Sequence, residues 1–193
     1  MVEVEQTGLA EVLLIRPRTF SDERGYFRQS WNAEQYAAIG ITGPFIQDNL
    51  SISKPGVLRG LHFQNPNMQS KIVSAPQGEI YDVAVDVRLG SPDFGKWVGV
   101  HLTADGGEQL FVPRGFAHGF CVTKGPAIVT YKVDGPYAPS AEKTIRWDDP
   151  EIGISWPKNN WNASGPVLSD SDHNALFLSA MPEGSLPSYT GGG

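Results

Sequence analysis

A chain of 193 residues with 40% apolar and 19% charged side chains can bury one sizeable core, which excludes a disordered protein and sets the expectation of a single domain over 1–182. A net charge of −6 with no basic cluster excludes a nucleic-acid surface, and no apolar run is long enough for a membrane helix. The one cysteine, Cys121, excludes an internal disulfide; with an N-terminus that lacks the basic and apolar regions of a signal peptide, it sets the expectation of a cytoplasmic protein.

Residues 11–15 read as the first strand. Asn32 caps a short helix that Gly40 ends, and Gln35, three residues after the cap, completes a capping box. Strands follow over 57–63 and 71–75. The clearest strand is 81–88, where Tyr81, Val83, Val85 and Val87 alternate with Asp82, Ala84, Asp86 and Arg88 at a period of two. Further strands are expected over 97–102, 109–112 and 127–133, then a second short helix over 172–178. Residues 183–193 end in three glycines and read as a loose tail. The 22 glycines and 15 prolines are spread along the chain, the pattern of an all-β sandwich, jelly roll or barrel.

Four histidines are present. His118 lies in Pro113-Arg114-Gly115-Phe116-Ala117-His118, a Pro-x-Gly-x-x-His run that resembles the second motif of the cupin superfamily. That resemblance implies a cupin-like jelly-roll β-barrel with a few short helices. Metal-binding cupins place His-x-His on one strand, so that both imidazoles reach one ion. Here the strand reads His62-Phe63-Gln64, so no metal is expected and His62 is left free as an acid or base.

Several segments, in order from about residue 5 to about 185, carry a stronger resemblance. They are Asp22-Glu23-Arg24-Gly25-Tyr26-Phe27, Gln47-Asp48-Asn49, Arg59-Gly60-Leu61-His62-Phe63-Gln64, Asp82-Val83-Ala84-Val85-Asp86-Val87-Arg88, Gly90-Ser91-Pro92, Gly95-Lys96-Trp97, the His118 run, and Leu168-Ser169-x-x-Asp172. Together they resemble the dTDP-4-dehydrorhamnose 3,5-epimerase family. The resemblance implies a cofactor-free isomerase that moves protons at C3 and C5 of a nucleotide-linked 4-keto-6-deoxyhexose, each beside the C4 ketone, as a step towards dTDP-L-rhamnose. It also implies a homodimer with an exchanged N-terminal strand.

Such chemistry needs a base at the carbon acid, a positive group at the enolate oxygen and an acid on the other face. By resemblance, His62 is the base and Asp172 its carboxylate partner, with Asp170 the competing candidate two residues away. Tyr131, on a strand face with Val129 and Val133, matches the proton donor. Lys71 matches the cation, and His118 supplies a second donor. Arg24, Arg59, Gln47, Asn49 and Glu142 match substrate-contacting positions; Arg suits a diphosphate because its planar fork pairs with phosphate oxygens. Gln29 stands where the family usually has Glu, which keeps the hydrogen bonding and loses the charge.

Arg59 and His62 differ by three residues, so a regular strand would aim them at opposite faces. Either Gly60 marks a bulge, or one of the two serves a site shared with a second chain. The same scaffold suits a C3-only epimerase or a 3,4-ketoisomerase. A metal-dependent oxygenase lacks its His-x-His, and a non-catalytic sugar-binding cupin would not need His62, Lys71, Tyr131 and Asp172 together.

Overall fold

The structure, a computed structural model, describes residues 2–191. Its framework is two long antiparallel strands, β7 (Lys71–Asp86) and β10 (Phe116–Val133), paired from Phe116↔Asp86 to Val133↔Lys71. The sequence divides each of them because Pro76, Gly78, Gly125 and Pro126 read as breakers. In the fold these residues mark irregularities within continuous strands, and the register shifts between Val122 and Thr130. Gly78 has φ +76°, and a Cβ there would sit 2.5 Å from the Lys124 carbonyl oxygen, so only glycine allows the two backbones to meet.

β10 is the hub. It also pairs with β5 (Gln47–Ser53) and β6 (Leu58–Gln64), and β6 in turn carries β11 (Glu142–Thr144). On the other side β7 pairs with β8 (Trp97–Thr103) and β9 (Gln109–Val112), and β2 (Leu13–Arg16) and β1 (Glu3–Gln6) continue from β9. The all-β architecture matches the expectation, with nine strands in this sheet among the described residues. A separate ribbon, β3 (Thr19–Asp22) with β4 (Gly25–Arg28), pairs only with itself among the described residues and exposes Phe20, Tyr26 and Phe27, the last at 68%.

The alternation over 81–88 predicts one buried and one solvated face, yet Asp82 and Asp86 are as buried as Val83 and Val85. Val83 and Val85 pack with Leu58, Leu61, Trp156 and Leu178, the latter two from the chain after β11, while Ala84 packs with Ile80, Phe116 and Phe120. Both faces are therefore covered, and each buried carboxylate requires a partner. Asp86 takes a bidentate pair from Arg88 and a hydrogen bond from Ser91, and Asp82 pairs with His118.

Helix α1 (Ala33–Ala37) forms where expected, with the Asn32 side chain accepting from the Gln35 N–H; the Gln35 amide, however, donates to Gln29 instead of reaching back to the cap. The second helix is shorter and earlier than expected: α2 is Asp170–His173, capped by Ser169, and a 3-10 turn follows over Leu178–Ala180. Part of the segment from 183 to 191 meets the end of β7 and the turn after it. Leu89 N–H donates to Pro187 O, Tyr189 N–H donates to Leu89 O, and the Tyr189 ring lies 4.9 Å from the Arg88 guanidinium carbon. The backbone groups of Leu89 need partners, and this stretch supplies them. Gly192 and Gly193 lie outside the described residues. Among the described residues no helix is long and apolar enough to cross a membrane.

Candidate active site

A cavity of about 630 Å³ opens among β5, β6, β7, β10, β11 and the residues before α2. His62, Lys71, Tyr131 and Asp172 all line it, as do Gln47, Asn49, Arg59, His118 and Glu142. The register explains the convergence. His62 faces His118 across β6 and β10, and Tyr131 sits between Asn49 of β5 and Val73 of β7. Gln47, Asn49 and Ser51 are alternate residues of β5, so one face delivers all three.

Gly60 resolves the parity of Arg59 and His62. Four residues of β6, Arg59 to His62, lie opposite three of β10, His118 to Phe120. This is a bulge, and it turns both side chains to the same cavity. Gly60 has φ +116°, and a Cβ there would meet Gly119 Cα at 2.6 Å. Arg59 is steadied by a 3.0 Å hydrogen bond from Nε to Ser53 Oγ.

His62 Nε2 lies 2.7 Å from Asp172 Oδ1, with the imidazole side chain 34% exposed and the carboxylate 3%. Asp170, the alternative, is exposed. Burial by itself pushes the Asp172 carboxyl up, but the hydrogen bonds from His62, Ser169 and the Gly60 N–H outweigh it and hold the group below its ordinary value. The pair thus presents an anionic carboxylate behind an imidazole at the cavity wall.

Lys71 Nζ sits 3.5 Å from the His62 carbonyl oxygen. Burial lowers its pKa from 10.5 to about 8, against the opposing pull of Asp82 and Glu142. His118 is buried with Nε2 2.8 Å from Asp82 Oδ1, and burial keeps its pKa below the ordinary value despite that carboxylate. The other Asp82 oxygen has no hydrogen-bond partner, so its charge remains available to Lys71. Burial raises the Tyr131 phenol, with Arg59 opposing and Glu142 adding to the rise, so Tyr131 holds its proton at neutral pH.

Arg24 and Gln29 lie outside the cavity of their own chain. Arg24 is in the β3–β4 turn, 84% exposed and paired to Asp22, and Gln29 is exposed beside Gln35. Gln64, at the position of the absent metal-ligand histidine, is a brace. Its amide donates to the Asn67 and Pro136 carbonyls and accepts from the Ala138 N–H. Among the described residues no group of three or more His, Cys, Asp or Glu could hold a metal ion.

Three participants are not singled out by the sequence: Asp82, which alternation places on the solvated side of its strand, Ser169 and Tyr137. Tyr137 lines the cavity and donates to Glu142 Oε2 at 2.8 Å. Asp82 is revealed only by its contact with His118 across the fold, whereas Ser169 and Tyr137 act through neighbours three and five residues away.

A sequence model of the dTDP-4-dehydrorhamnose 3,5-epimerase family matches residues 6–180. The chain is 47% identical over 175 residues to the dTDP-4-dehydrorhamnose 3,5-epimerase of Shigella flexneri, covering 90% of this chain and 94% of that one. It is 37% identical over 185 residues to the dTDP-4-dehydrorhamnose 3-epimerase of Streptomyces niveus, covering 94% and 87%. Its fold is similar to that of dTDP-6-deoxy-D-glucose-3,5-epimerase from Legionella pneumophila, solved in complex with dTDP-4-keto-L-rhamnose. The TM-score is 0.94 at 42% identity, over 99% of this chain and all of that one.

Proposed function

Because the chain belongs to the dTDP-4-dehydrorhamnose 3,5-epimerase family, we propose that it converts dTDP-4-dehydro-6-deoxy-D-glucose to dTDP-4-dehydro-L-rhamnose by inverting C3 and C5, a step in dTDP-L-rhamnose biosynthesis. The observation that carries this reading is the His62–Asp172 pair at 2.7 Å, set in a cavity with Lys71 and a protonated Tyr131. His62 takes the proton from C3, with Asp172 stabilising the imidazolium; such a base is worth about 10²–10⁴ in rate. Electrons move onto the C4 oxygen, where the Lys71 ammonium opposes the developing charge, a term of about 10²–10³. Tyr131 returns a proton to the opposite face, and the sequence repeats at C5. No electrons are gained or lost overall, so no redox cofactor is required.

Arg59 suits the diphosphate, and the amides of Gln47 and Asn49 suit sugar hydroxyls or base edges. Glu142 and His118 complete the polar lining. Arg24 and Gln29 would act across a homodimer with an exchanged N-terminal strand, reaching the partner's cavity. The exposed Phe20, Tyr26 and Phe27 beside them support such an arm, which sedimentation of the pure protein tests. The buried, unpaired Cys121 suits a reducing cytoplasm.

The deciding experiment incubates chelator-treated protein with the 4-keto sugar nucleotide in D₂O and follows C3 and C5 by NMR. Deuterium at both carbons, absent in His62→Ala, is the expected result; no exchange by a folded protein overturns the reading. The likeness to a 3-epimerase favours a second reading, inversion at C3 alone, and deuterium confined to C3 would select it.

A further inference from the structure

Ser169 stands at the cavity rim as the N-cap of α2, and its hydroxyl makes two contacts with one residue. Its Oγ accepts from the Asp172 N–H at 3.1 Å, which is ordinary capping. The same hydroxyl donates to Asp172 Oδ2 at 2.8 Å, a bond that the cap does not require. The two carboxylate oxygens are thereby divided. Oδ1 faces His62 Nε2 at 2.7 Å and the Gly60 N–H at 3.3 Å, while Oδ2 belongs to Ser169. A carboxylate held through one oxygen can turn about its Cβ–Cγ bond; held through both, it keeps Oδ1 aimed at the imidazole.

We propose that Ser169 is a positioning residue for proton transfer, whose hydroxyl fixes the Asp172 carboxylate and draws charge from it so that His62 releases each proton it takes. The inference rests on reading His62 as the base. With Nε2 engaged by Asp172, Nδ1 is the nitrogen left to accept the carbon-bound proton. Double epimerisation requires two abstractions, so His62 must pass the first proton to solvent before the second. A carboxylate carrying its full charge would hold the imidazolium too firmly for that reset.

The sign of the effect separates this role from simple capping. Losing the donor leaves Asp172 more attractive to the proton on His62, so the acidic limb of the kcat/KM profile moves to higher pH. Losing only the cap lowers activity without moving the limb. The other titratable groups of the cavity are His118 and Tyr131 of β10, Lys71 of β7, Glu142 of β11 and Tyr137, with Asp82 of β7 behind His118. Arg59 lies on its own strand. None of these changes in Ser169 variants.

The test compares Ser169→Ala, Ser169→Thr and Ser169→Asp with the unaltered protein, by deuterium exchange against pH and with thermal unfolding to establish folding. Alanine is expected to lower kcat roughly tenfold, since a hydrogen bond to a charged group is lost, with little change in KM and an upward shift of the acidic limb. Threonine restores both. Aspartate preserves the cap but cannot donate, and behaves like alanine or worse. An unmoved limb in the alanine variant, or wild-type kcat in the aspartate variant, overturns the proposal. His62→Ala runs alongside. If it keeps exchanging, the base assignment and this inference fall together; if it is inactive while the Ser169 variants behave normally, only this inference falls.

Discussion

Replacing Lys71 by methionine keeps most of the stem of this side chain and deletes a cation that burial holds at about 8. At pH 7 the ammonium outnumbers the neutral amine by about ten to one, and at pH 9 the ratio is about one to ten. If that charge opposes the enolate, kcat/KM, which reports groups of the free enzyme, falls on a basic limb centred near 8. Lys71→Met should lower kcat by about 10²–10³ at pH 7 and abolish the limb. Lys71→Arg, always charged, should be impaired by its wider head group and show no limb either. The assay is the initial rate of deuterium entry at C3 from pH 6 to 10. Survival of the limb in Lys71→Met, or a loss of less than tenfold, would refute the assignment. Stability supplies an independent check. The folded-state value lies below 10.5, so between about 8 and 10.5 the unfolded chain binds more protons, and the Lys71 contribution to stability rises with pH. In Lys71→Met that rise is absent from denaturant titrations.

Tyr131→Phe removes the acid but leaves His62 and Lys71 in place, so NMR should detect deuterium entering the substrate at C3 faster than inverted product forms; equal rates would relieve Tyr131 of its role. Gly60→Ala forces a Cβ to 2.6 Å from Gly119 Cα at φ +116° and should cost about 3 kcal/mol or more in urea unfolding. An unchanged midpoint would show that the bulge can relax. Arg24→Ala should leave thermal stability unchanged, because Arg24 is 84% exposed and, among the described residues, bonded only to Asp22, while raising KM if the arm reaches a partner's cavity. An unaltered KM would remove Arg24 from the substrate contacts.

The strand content was legible in the residues themselves. Period-two alternation and the spread of glycine and proline specify many short strands and exclude a helical fold, and Asn32 marked its helix because capping depends on neighbouring residues alone. The resemblance added the family and named His62, Lys71, Tyr131 and Asp172, positions scattered over 110 residues of chain. Tertiary structure decided the rest. Gly78 and Pro126 look like strand ends, yet β7 and β10 run through them because cross-strand pairing outweighs local breaking. Asp82 is indistinguishable from a solvated strand residue until a second layer covers its face and His118 arrives from β10. The bulge at Gly60 depends on a register between β6 and β10 that no local pattern encodes, and Asp172 meets His62 and the Gly60 N–H from more than a hundred residues away. Periodicity records which way a side chain points along its own strand; only packing determines what waits on the other side.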